Sequence, residues 1–147
     1  MRKETFIDII AYALVLLFLY TALSKLFTYS FYLHDLQRSP WLGSLALPIS
    51  IIIPGAEILS SVLLLMPAKR KIGLMFSLIL MTIFTIYVAV VLGFSEELPC
   101  TCGGIIRELS WPQHLIFNIF FTALATIGWV MSRRSGTPEN FSTVRPR

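Results

Sequence analysis

Four apolar runs, each about as long as a bilayer is thick, constrain this chain more than any other feature. They cover roughly residues 6–27, 45–66, 72–94 and 113–132 of the 147. A helix crosses the hydrocarbon core in about 20 residues at 1.5 Å per residue. In lipid every backbone N–H and C=O needs an internal partner, so such runs are helices. The expected fold is therefore all-α: a four-transmembrane-helix antiparallel bundle joined by short connections. Composition agrees, at 56% hydrophobic and 14% charged residues, where soluble domains average about 45–50% and about 25%. The first run follows Arg2 and Lys3 and could pass for a secretory signal. It exceeds the 7–15 apolar residues of a signal core, and further spans follow, so it reads as a retained helix.

Residues 1–131 read as a single membrane domain, and 133–147 as a polar, disordered cytoplasmic tail rich in Gly, Pro, Ser and Thr. The connection after the first run holds Tyr29, Phe31, Tyr32 and Trp41, aromatic residues of the kind that sit at headgroup depth. Its pattern predicts a short interfacial helix in the first outer loop, ended at Ser39-Pro40 because a residue before proline leaves the helical region. Pro54 lies inside the second run and cannot donate to the carbonyl of Ser50, so a kink is expected there.

The net charge is +4, but the basic residues lie beside the ends of the apolar runs. That is a topology signal and excludes nucleic acid as a partner class. Arg2, Lys3, Lys69, Arg70, Lys71, Arg133, Arg134, Arg145 and Arg147 fall on one side, and Lys25, Arg38 and Arg107 on the other. Both termini are expected in the cytoplasm. The loop before the fourth run would then face the periplasm of a bacterial inner membrane, an oxidising compartment.

That loop contains the chain's two cysteines, in Cys100-Thr101-Cys102-Gly103-Gly104. Thiols one residue apart can bridge only if the backbone turns to bring the Cα atoms within about 4.4–6.8 Å. The ring closed is so short that it staples almost nothing, which favours exchange over permanent bridging. A helix beginning near Gly104 would lower the pKa of the thiol just before it, making Cys102 the attacking thiolate and Cys100 the resolving thiol. Two readings stay open beside exchange: an inert bridge, and a metal site using His114. The latter wants four ligands where the loop offers few, so no metal is assigned. Ser110 and Gln113 have the spacing of a capping box, with Pro112 in the first turn of the fourth helix. His114 and Asn118 follow one and two turns in. His114 can assist thiolate formation or hydrogen-bond at the interface, and Asn118 can bond across helices.

Glu57 lies about twelve residues into its span, where an ionisable group is costly and marks a functional hypothesis. It can take up amides freed at Pro54, pair with Lys25, or hydrogen-bond a quinone. Lys25 is near the outer end of its helix and Glu57 about 14–18 Å down its own, so direct pairing needs long reach or a thin bundle. No cofactor is demanded; a quinone is the one left open.

Taken together, the chain resembles the MauE branch of the DoxX-like membrane proteins over about Phe6 to Met131. The resemblance rests on Leu23-Ser24-Lys25-Leu26, Ser39-Pro40, Pro54 with Glu57, and Cys100-Thr101-Cys102-Gly103-Gly104. Family members often have Cys-x-Cys-Phe-Gly, and Gly103 stands here in place of the Phe. The resemblance implies a four-helix inner-membrane protein linked to maturation of a disulfide-rich periplasmic enzyme and to membrane redox chemistry. The expectation is a membrane component of thiol–disulfide exchange or of exported-protein maturation, in contact with lipid and with a thioredoxin-like periplasmic partner. Whether it is itself an oxidoreductase is left open. The alternative is a non-catalytic accessory or assembly subunit of a larger membrane complex. A transporter is disfavoured by the small size and the absence of an inverted repeat.

Overall fold

Where the sequence stays apolar for about a bilayer's thickness the chain is helical, and breaks fall at Thr28, Ser39 and Met66. The computed structural model describes residues 2–39, 41–94 and 110–135. Among the described residues five α-helices run in order: α1 Lys3–Phe27, α2 Tyr29–Arg38, α3 Ala46–Leu65, α4 Arg70–Phe94 and α5 Trp111–Arg134. Single 3₁₀ turns at Gly43–Leu45 and Pro67–Lys69 lead into α3 and α4. Four of these segments are long and apolar enough to cross a membrane: Lys3–Phe27, Gly43–Leu65, Pro67–Phe94 and Trp111–Arg134. No strand occurs among the described residues.

The breaks have local causes. Thr28 leaves the helical region at φ −111°, ψ 37°, and both its N–H and its hydroxyl donate to the carbonyl of Ser24, at 3.1 and 2.8 Å. The chain re-enters a helix at once, so α2 folds directly off α1. Ser39 is extended at ψ 127° and Met66 at ψ 110°, the conformation favoured before a proline. Gly43 passes so close to α2 that a Cβ there would lie 2.8 Å from the carbonyl oxygen of Gln37. That close approach turns the chain under α2 and into α3. Helix α3 runs through Pro54 without interruption.

Around the bundle α1 packs against α3 and α5, and α4 packs against the same two, so α1 and α4 face each other across the centre. The start of α1 and the end of α5 lie at one end. Helix α2, the start of α3 and the ends that flank segment 95–109 lie at the other, called the α2 end below. One face of α1 supplies Ile7, Ile10, Ala11, Leu14 and Phe18 to the core, the i, i+3, i+4 stripe of a helix packed on one side. Leu64, Leu74, Met81 and Ala125 meet it.

The outside is apolar as well: Leu16, Leu47, Ile51, Ile83 and Ile116 are all more than half exposed. Lipid tails are as apolar as leucine, so helices in a bilayer associate by close packing and polar contacts rather than by expelling water. Both devices are present. A Cβ on Gly73 would lie 2.8 Å from Leu64 N and 2.9 Å from Leu63 C, so α3 and α4 touch backbone to backbone there. Thr85 and Thr122 share a hydroxyl–hydroxyl bond of 2.9 Å between α4 and α5.

Candidate functional site

Several polar side chains that the apolar runs carry turn inward and meet at the α2 end. Glu57, on α3, is 1% exposed. Its Oε1 accepts from Lys25 Nζ at 2.8 Å and from Thr21 Oγ1 at 3.1 Å, both on α1. Thr21 and Lys25 are one helical turn apart, so they present both donors to one oxygen from the same face. Glu57 Oε2 is buried and has no hydrogen-bond partner among the described residues. The Lys25 ammonium also stands over two aromatic rings, 6.0 Å from the centroid of Tyr32 and 5.9 Å from that of Phe84. At these distances the rings' negative faces attract the cation.

Direct pairing with Lys25 was one of the uses open to Glu57, on condition of a long reach or a thin bundle, and the reach it needs is short. The reason is the axial offset of α1 against α3. Thr21 is level with Glu57, since their side chains bond directly. From Thr21 to the end of α1 at Phe27 is about 9 Å, whereas from Glu57 back to the start of α3 at Ala46 is about 16 Å, at 1.5 Å per residue. Helix α1 therefore stops about a turn short of the level where α3 begins. Lys25 has to reach down one turn only. Helix α2 occupies the layer left above. Tyr29 OH shares a 2.8 Å hydrogen bond with Ser50 Oγ of α3, and Ser39 Oγ shares one of 3.3 Å with Tyr87 OH of α4. Tyr32 and Leu36 are buried against Ala46.

Beneath α2 the five helices line a partly open cavity of about 240 Å³. Thr21, Lys25, Glu57, His114 and Asn118 place polar groups on its wall. The rest is apolar or aromatic, including Phe18, Phe84, Phe117, Met81 and Val88. His114 and Asn118 are both buried on α5. The helix start that holds them is fixed by the expected capping box, in which the Ser110 N–H donates to Gln113 Oε1 at 3.0 Å. Asn118 Nδ2 donates to the carbonyl of His114 at 3.1 Å, and the Trp111 and His114 rings are 6.2 Å apart.

Four residues singled out from sequence, Lys25, Glu57, His114 and Asn118, thus converge on one cavity. His114 faces inward with the ion pair as its neighbour on the wall, rather than lying at an exposed surface. Cys100 and Cys102, with the helix expected after Gly104, lie outside the described residues, as does the tail from 136 to 147. Segment 95–109 joins Phe94 to Ser110, both at the α2 end. Thr21 and Tyr87 belong to the site and were not singled out, and Tyr32 was named only as an aromatic at headgroup depth. Thr21 had a signal, its one-turn spacing from Lys25; Tyr32 and Tyr87 had none beyond being aromatic. A second ion pair, between Arg70 and Asp8, ties α4 to α1 near the opposite end. Among the described residues no group of three or more His, Cys, Asp or Glu side chains is placed to hold a metal.

No curated protein and no solved structure matches the chain. A family model described as methylamine utilisation protein MauE matches residues 3–131. With four membrane-crossing helices beneath that match, the chain is a multi-pass membrane protein that belongs to the MauE family.

Proposed function

We infer that this protein is a membrane component of extracytoplasmic thiol–disulfide exchange, with Cys100 and Cys102 as the working pair. One observation carries the reading: the two cysteines are one residue apart in a short connection anchored between two membrane helices. The placement that goes with it is the bacterial inner membrane, termini in the cytoplasm, cysteines on the periplasmic side and α2 at the outer headgroup layer. The charge asymmetry of the connections supports that orientation. In the setting of methylamine utilisation, the client would be an exported protein whose disulfides must be formed or corrected, reached directly or through a thioredoxin-like carrier.

The step is an exchange. The Cys102 thiolate attacks a disulfide of the partner, forming a mixed disulfide and releasing one partner thiolate. The Cys100 thiolate then attacks Cys102 Sγ, expelling the second partner thiolate and leaving a Cys100–Cys102 disulfide. In reverse the same steps give a disulfide to a client dithiol. Gly103 and Gly104 leave the flank of Cys102 without side chains, which gives a partner sulfur access.

Alkylation gel shifts on membranes, with and without mild reductant, test the pair. Two alkylated thiols should appear after reduction and none before, and a Cys100→Ser variant should trap a mixed disulfide with its partner. A pair that stays in one state whatever the redox conditions, together with full function in Cys102→Ser, would overturn the reading.

A further inference from the structure

The cavity at the α2 end has more chemistry on its wall than the helices need in order to pack. Its ion pair is already made between Lys25 and Glu57 Oε1, yet Glu57 Oε2 is buried without a partner among the described residues. An unsatisfied buried carboxylate oxygen is costly, and a native structure keeps one where something else completes it. Donor capacity is also left over. The Lys25 ammonium has three N–H groups and gives one to Glu57; the Asn118 amide has two and gives one to the carbonyl of His114. These groups come from α1, α3 and α5, and aromatic side chains from α1, α2, α4 and α5 line the same space.

We propose that this cavity binds the ring of a lipid-soluble quinone. Size is the first reason. At about 240 Å³ the space exceeds the ~150 Å³ that holds a benzene molecule and so accepts one substituted ring. Charge is the second. Glu57 neutralises Lys25, so an anionic head would bring uncompensated negative charge into an apolar wall, and a neutral ligand is preferred. The pattern of donors and acceptors is the third. Carbonyl oxygens on the ring accept from Lys25, Asn118 and the His114 ring, and in the reduced ligand a hydroxyl donates to Glu57 Oε2. Phe84, Phe117 and Tyr32 provide aromatic surface for a planar ring. The last reason is a route for the tail. Ile83 lines the cavity and is also 53% exposed on α4, so at this point a single side chain separates the space from the side of the bundle that lipid covers.

The site goes beyond the thiol–disulfide reading and stands without it. Where both hold, the Cys100–Cys102 dithiol gives two electrons and two protons to the quinone, leaving a disulfide and a quinol, with no further reactant.

Photolabelling of the purified full chain in detergent micelles with an azido-benzoquinone tests the site, with labelled residues mapped by mass spectrometry. A benzoquinone with a ten-carbon tail should compete saturably, and decylbenzene or decanoate at the same concentration should not. Label should concentrate on cavity residues, and both Asn118→Leu and the space-filling Val88→Phe should weaken competition at least tenfold. Helicity by circular dichroism identifies a variant that has failed to fold, and the other variant then decides. The Cys100→Ser/Cys102→Ser double variant should bind the quinone as the unaltered chain does while losing all exchange, so the two readings fail separately. Labelling that never saturates, equal competition by decylbenzene, better competition by decanoate, unchanged binding in folded Asn118→Leu and Val88→Phe, or loss of binding with the cysteines would each overturn the proposal.

Discussion

Among the described residues an ion pair joins two helices at each end of the bundle, and the two ends use it differently. At the α2 end the pair is central: the Lys25 and Glu57 side chains are 10% and 1% exposed, and an open cavity adjoins them. Near the terminal end the pair is peripheral: the Arg70 and Asp8 side chains are 18% and 43% exposed, and the helices beside them are in close contact. There Gly73 lets α3 and α4 touch, and Gly128 lies against Ile10 and Leu74. A bundle that needed only to hold together would be built like the terminal end throughout. Burying two charges costs several kcal/mol per ion, and an apolar pair of the same volume is often as stable or more so. The hollow, charged end therefore has a use other than stability, whereas the packed end has the features of a scaffold.

The largest effect that can break this comparison comes from separating the buried pair. Lys25→Met leaves the Glu57 carboxyl without its cation, and Glu57→Leu leaves a buried ammonium between two aromatic rings. Each single change should cost about 3–5 kcal/mol, and the double change should recover most of that loss. Reversible unfolding in mixed micelles, followed by circular dichroism, measures all three. If the single losses simply add in the double variant, the two charges do not act as a pair and the contrast between the ends fails.

The spans were legible because an apolar run of that length has one low-energy solution in lipid, and the Ser110–Gln113 cap because its chemistry is local. Lys25, Glu57, His114 and Asn118 stood out for the same reason: polar groups inside apolar runs are expensive anywhere. Their meeting was not legible. It depends on how far α1 slides along α3, which the lengths of the runs do not encode, and on α2 taking the layer that α1 leaves empty. Tyr29 to Ser50 and Ser39 to Tyr87, the bonds that hold α2 there, join residues far apart in sequence that nothing local pairs. The cavity is harder still to foresee, since no single helix defines it. The Asp8–Arg70 pair was within reach: opposite charges at neighbouring ends of spans expected on the same side of the membrane.

The packed end can be tested next. Gly73→Ala puts a methyl group against the backbone of α3, with no flexible side chain to yield, and should cost about 1–3 kcal/mol. Gly55 is the control, because a Cβ there meets nothing within 4 Å. Gly55→Ala should be neutral or gain up to about 1 kcal/mol from helix propensity. Equal losses at the two glycines would mean that contact between α3 and α4 is not what holds this end. A smaller effect sharpens the link between the ends. Thr85 and Thr122 bond across α4 and α5, and a double-mutant cycle with valine at both should give a coupling of about 0.6 kcal/mol, the average for hydrogen bonds between membrane helices.

The smallest effect belongs to the peripheral pair. Asp8→Asn removes the carboxylate charge but leaves Arg70 with a second anchor, since its Nε donates to the carbonyl of Leu64 at 3.2 Å. That bond keeps the guanidinium beside the turn between α3 and α4. Asp8 is open to its surroundings, so little desolvation has to be recovered when the charge goes. The expected loss is about 0.2–0.5 kcal/mol, the lower part of the range for exposed pairs, read by the same unfolding measurement and falling further at high salt. A loss as large as that of Glu57→Leu would make the two pairs equivalent. The asymmetry between a charged, hollow end and a packed end would then be one of shape alone.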